Sequence, residues 1–128
     1  RGFELFFTES EPRLGKTGAD CFHCHGGAMF TDHLFHNNGL PGEDLGLYLT
    51  THRESDRRKF STPSLRNISK TAPYMHDGRF QSLEEVIDHY NGSFERSDTL
   101  DPNLAKHPGG LSLSQADKNA LIAFLETL

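Results

Sequence analysis

The octapeptide DCFHCHGG, Asp20 to Gly27, holds both cysteines of this 128-residue chain. Cys21 and Cys24 stand three positions apart, and His25 follows the second directly. Residues at that spacing are neighbours on one turn of helix, so the two thiols and the imidazole can meet on one side of the backbone. Several chemistries use a close cysteine pair. A redox dithiol of the thioredoxin type needs a βαβ setting, and no alternating strand pattern is present. A structural zinc site takes four ligands, usually from two separated pairs. Here there is one pair, with His23, His33 and His36 as conceivable additions. A disulfide across two intervening residues closes too small a loop to stabilise much. Cys-x-x-Cys-His is the attachment pattern of a c-type heme. The two thiols add to the porphyrin vinyl groups, and His25 then lies under the iron as the proximal ligand.

Composition agrees with one bulky buried group. Only 34% of residues are hydrophobic and there is no Trp, a lean core for one domain spanning 1–128. The net charge is -5 with scattered basic residues, which excludes a nucleic-acid footprint. No apolar run is long enough to span a bilayer. Heme attachment takes place outside the cytoplasm, so a periplasmic location is expected, with any signal peptide removed or upstream of Arg1.

Helical periodicity marks both ends. Phe3, Phe6 and Phe7 share a face near residues 1–10, and Leu121, Phe124, Leu125 and Leu128 share one within 114–127. The two helices are expected to cross and bury Phe6, Phe7, Leu121, Phe124 and Leu125 near the heme. In SLEEVIDHYN, Ser82 and Glu85 form a capping box, Leu83, Val86, Ile87 and Tyr90 form an apolar face, and Gly92 supplies a stop. The stretch from Phe30 to Thr62 reads as loop, with THRESDRRKF a solvated charge cluster. The fold class expected is all-α: a cytochrome c-like heme domain with long loops.

The ligand on the other side of the iron decides whether the heme transfers electrons or reacts. Met29 is too near His25 to cross to the distal side and reads as core. Met75, His76, His89 and Tyr90 are the candidates.

FSTPSLRNISKTAPYMHDGRFQSLEEVIDHYNGS (Phe60 to Ser93), CFHCHGGAMFTDHLFHNNGL and LSLSQADKNALIAFLETL resemble the C-terminal, electron-transfer heme domain of the bacterial diheme cytochrome c peroxidase and MauG family. The resemblance covers nearly the whole chain. It implies that Tyr90 is the distal ligand, at a position where the peroxidases carry Met and MauG-type enzymes Tyr; Met75 is the alternative. It also implies a calcium ion held by backbone carbonyls of Thr71 and Pro73, with a further ligand from an N-terminal domain. Arg66 and Arg79 could pair with the heme propionates. The function implied is relay of electrons to or from a partner heme, within a peroxidase-type oxidoreductase whose second, peroxidatic heme motif this chain lacks. Partners would be the N-terminal heme domain of the same enzyme, or another redox protein, and a small electron-donor protein. A stand-alone monoheme shuttle is the alternative, and a catalytic heme that has lost its distal ligand a third reading.

Overall fold

The computed structural model describes all residues, Arg1–Leu128. Its frame is a crossing of two terminal helices, α1 (Gly2–Phe7) and α5 (Gln115–Leu125). Gly2 makes the crossing close, because a Cβ there would collide with the Ala120 carbonyl and with Phe124. Leu5, Phe6, Leu121 and Leu125 are buried at the contact. Aromatic edges extend it, with Phe6 5.3 Å from Phe124 and 5.7 Å from Phe30, centroid to centroid. α5 starts at Ser114, whose hydroxyl accepts from the Asp117 N–H, and Arg1 binds Asp117 at 2.8 Å, tying the chain ends together. The face of α1 differs from the expected one. Gly2, Leu5 and Phe6 point inward, whereas Phe3 is 63% and Phe7 40% exposed.

Between them lie α2 (Tyr48–Thr51), α3 (Leu83–Asp88) and α4 (Pro102–Ala105). α3 carries the expected capping box: Ser82 Oγ accepts from Glu85 N–H, and the Glu85 carboxylate accepts from Ser82 N–H. Leu83 and Ile87 are its buried residues. The chain leaves α3 through a π turn, His89–Ser93, in which Gly92 (φ 161°, ψ 4°) breaks the helical conformation as expected, and Phe94 is extended.

The all-α expectation does not hold. The five helices are short, and β1 (Phe35–His36) pairs antiparallel with β2 (Phe60–Ser61), Phe35 opposite Ser61 and His36 opposite Phe60. Two-residue strands are too short to show a period of two, which is why the sequence hid them. The overall arrangement remains cytochrome c-like. Two further expectations need correction. Met29 is 53% exposed and belongs to no core. THRESDRRKF is not a uniformly solvated run: Asp56, Arg57, Arg58 and Lys59 are half-buried, and Arg58 donates to the carbonyls of Leu40 and Gly42.

Candidate heme-binding site

Asp20 adopts the left-handed conformation (φ 58°) and turns the chain into a single 3-10 turn, Cys21–His23. Cys24 N–H closes that turn on the Cys21 carbonyl, and His25 N–H reaches the same oxygen at 2.9 Å. Both thiols and the imidazole therefore sit on one turn. The cysteines are free and not bridged to each other. Burial, joined by the Asp20 carboxylate at Cys21 and by Asp101 and Asp32 at Cys24, pushes both thiols up to about 12. They are protonated at neutral pH, unlike the low-pKa thiols of redox-active or metal-binding pairs.

His25 Nδ1 lies 3.1 Å from the Phe30 carbonyl, which takes the Nδ1 proton. That places the proton on Nδ1 and the lone pair on Nε2, the tautomer of a ligating histidine, with the Pro63 carbonyl a second neighbour of the ring. Burial lowers the His25 pKa, so the ring is neutral and able to bind a metal. The loop after the motif folds back through Asp32 N–H to the Cys24 carbonyl at 2.8 Å. TPSLR braces it from outside: Ser64 Oγ donates to the Met29 carbonyl at 2.6 Å, and Arg66 holds the Ala28 carbonyl through Nε (3.0 Å) and Nη2 (2.7 Å) while lying over the Phe30 ring.

Tyr90 and Met75 lie on the π turn and on the hairpin Tyr74–Phe80. Tyr90 sits in the turn, and its phenol is pushed up to about 12, first by burial and then by the positions of Cys24 and Cys21, partly offset by a hydrogen bond from Asn38. Met75 has a positive φ of 72°. The Asn38 amide nitrogen reaches Tyr90 Oη at 3.2 Å and Met75 Sδ at 3.5 Å, so these two distal candidates lie together. The two histidine candidates are engaged elsewhere. His89 Nε2 donates to the Asn38 carbonyl at 2.8 Å, and the His76 ring stacks on Phe60 at 3.6 Å.

Thr71 and Pro73 lie on an exposed loop, and neither carbonyl accepts a hydrogen bond within the chain. Arg79 is exposed and pairs with Asp77 at 2.7 Å. One cluster was missed in the sequence. His36 is clamped between Asp101 (Nδ1 to Oδ2, 2.6 Å) and Asp32 (Nε2 to Oδ2, 2.7 Å), and Cys24, His36 and Asp101 offer atoms within 4.8 Å of one another. Asp32 and His36 are an i, i+4 pair visible in the sequence; Asp101, far along the chain, carried no signal.

These residues fit a heme c. The donor set is two protonated thiols one turn apart and a neutral imidazole beside them, with a phenol and a thioether gathered at Asn38. Around the motif Phe22, Phe30, Leu65, Ile68, Phe80 and Tyr90 are only half-buried against the core, an apolar surface that a flat macrocycle would cover.

Fold and donor set together define a cytochrome c-like domain. No protein-family model matches the chain. Its whole length aligns with the methylamine utilization protein MauG of Methylorubrum extorquens at 40% identity and with that of Methylophilus methylotrophus at 36%, covering 33% and 36% of those proteins. A cytochrome-c peroxidase of Denitromonas iodatirespirans is 33% identical over 99% of the chain and 38% of its own length. A crystal structure of a MauG-like protein associated with microbial copper homeostasis superposes with a TM-score of 0.83 at 34% identity, over 99% of this chain and 42% of that one. The chain belongs to the family of MauG and the diheme cytochrome-c peroxidases. It spans about a third of the length of the curated relatives it matches.

Proposed function

We propose that this chain is the C-terminal, electron-transfer heme c domain of a diheme MauG-like or peroxidase-type oxidoreductase. Bound heme supplies one-electron chemistry between ferric and ferrous iron. The protein's part is to tether it through Cys21 and Cys24, to offer His25 Nε2 on one side, and to offer Tyr90 on the other, with Met75 as the alternative. What supports the reading is the Cys21, Cys24 and His25 turn together with a second pair of donors, Tyr90 and Met75, brought together at Asn38; a heme held by protein ligands on both sides would have no open site for peroxide. Tyr90 is favoured over Met75 by the resemblance of the Phe60–Ser93 stretch to MauG-type enzymes, which carry Tyr at this position. On binding a metal there, the Tyr90 phenol would give up its proton, the metal supplying the positive charge that burial withholds.

Arg66 and Arg79 are the proposed propionate partners, for which each would give up its present contact, with the Ala28 carbonyl and with Asp77, and the free carbonyls of Thr71 and Pro73 suit a hard cation such as calcium. The physiological partners in this reading are a second heme domain, in the same polypeptide or in another redox protein, and a small donor protein. The setting is the periplasm. No helix of the chain is long and apolar enough to cross a membrane.

The test is a spectrum and a turnover assay on the chain matured with heme. A low-spin ferric spectrum without the far-red thioether-to-iron band, one electron taken up per chain and no peroxide turnover are expected. A high-spin ferric heme that turns over peroxide would overturn the electron-transfer reading. A far-red band that survives Tyr90→Phe would transfer the distal role to Met75.

A further inference from the structure

In FHNNGL the two asparagines have separate tasks. Asn37 is buried and serves the scaffold: its Oδ1 accepts from Gly39 N–H at 2.9 Å, and its Nδ2 donates to Ser97 and Thr99 hydroxyls. Gly39 follows at φ 73°, where a Cβ would stand 2.7 Å from that of Phe94. Asn38 between them is thereby fixed in place, and both ends of its chemistry point at the π turn. Its carbonyl accepts from His89 Nε2 at 2.8 Å, and its side chain meets Tyr90 Oη at 3.2 Å. Consecutive residues of that turn are thus held by one asparagine.

The orientation of the Asn38 amide follows from its other neighbour. Met75 Sδ, 3.5 Å away, has no proton to give, so the amide group facing it is the NH2. The same NH2 faces the Tyr90 oxygen, which makes Tyr90 the acceptor. A donor aimed at a phenol oxygen suits the phenolate better than the phenol, because hydrogen bonding to the charged form favours it. It also draws electron density from the oxygen and weakens what that oxygen gives to a metal.

We propose that Asn38 is a positioning residue for the distal ligand: its side-chain N–H holds the Tyr90 oxygen toward the iron and, by that hydrogen bond, sets the reduction potential of the heme. The inference rests on Tyr90 being the ligand. Without the hydrogen bond the phenolate donates more strongly, ferric iron is stabilised, and the potential falls.

The test uses the heme-loaded chain. Asn38→Leu removes the donor. Asn38→Asp keeps the shape while replacing the N–H by oxygen, and serves if the leucine variant does not mature. Each is expected to shift the one-electron equilibrium at least tenfold toward the ferric form, which is 59 mV for a one-electron couple. Each should also move the phenolate-to-iron charge-transfer band to longer wavelength. In a Tyr90→Phe background the leucine substitution is expected to shift the equilibrium less than twofold. An equal shift in both backgrounds, or none in either, would overturn the role of Asn38 while leaving Tyr90 as ligand. An unchanged ferric spectrum in Tyr90→Phe alone would overturn the ligand assignment and this inference with it.

Discussion

At the scale of single residues, charge and burial decide which groups can act. His36 shows the balance. Burial alone would lower its pKa, but hydrogen bonds to Asp32 and Asp101 outweigh that and raise it. A raised imidazole stabilises the fold below its ordinary value of about 6.5 and loses that contribution as pH rises through the folded value. His89 and His107 run the other way. Burial lowers both, so they favour the fold when neutral, and their contribution fades as pH falls below about 6.5. His107 is the extreme case, 1% exposed with neither ring nitrogen hydrogen-bonded. Unfolding followed against pH should therefore give a stability maximum near neutrality. His36→Asn is expected to lower stability overall and flatten the alkaline limb, and His107→Met to flatten the acid limb. An unaltered pH profile in both variants would show that these rings do not shape it. His36 was legible only as a generic histidine near the motif. Its meaning depends on Asp101, which the fold brings to it from 65 positions away. Asn38 was likewise hidden, because a hydrogen bond to Tyr90 across 52 positions leaves no local pattern.

Among the elements, the signals that survived were local ones. The capping box of α3 can be read from four consecutive residues and appears as expected, and the Ser114 cap of α5 is equally local. Ser82→Ala should cost about 1 kcal/mol in chemical denaturation, since it removes the acceptor for Glu85 N–H. The crossing of α1 and α5 was legible as a pairing but not as a geometry. Three phenylalanines at helical spacing suggested the buried face, whereas Gly2 decided it by letting α1 approach Ala120 closely. Leu5 then joins Phe6 inside and leaves Phe3 outside. Gly2→Val is expected to destabilise by about 1–3 kcal/mol, the usual range for an overpacked contact, and Phe3→Ser far less. Equal losses for the two would restore the face first expected. The π turn after α3 was invisible, because one extra residue in a helical turn has no composition signal. π turns occur often at functional sites, and this one carries Tyr90.

For the whole molecule, the feature that matters most is how little the polypeptide buries by itself. Only 21 of 128 residues are buried, and the aromatic side chains nearest the motif remain half-covered. Each large apolar side chain contributes about 1.5–3 kcal/mol when fully covered. A macrocycle seated against several of them would add a comparable sum. The chain without heme is expected to lose cooperative unfolding and much of its helical signal. A sharp unfolding transition in Cys21→Ala/Cys24→Ala material would speak against that dependence. The chemistry was readable at this scale because covalent attachment needs a fixed spacing of three adjacent side chains, and such spacing is written in order along the chain. The proposed distal side would draw on residues 38, 75 and 90, which only folding brings together. The measurement that bears most directly on the central claim is the intact mass of the chain, made in a host that matures c-type cytochromes and then denatured. A mass equal to polypeptide plus one heme, retained under denaturation and absent from Cys21→Ala/Cys24→Ala, is the expected result. A colourless product with the mass of the bare polypeptide would contradict the account.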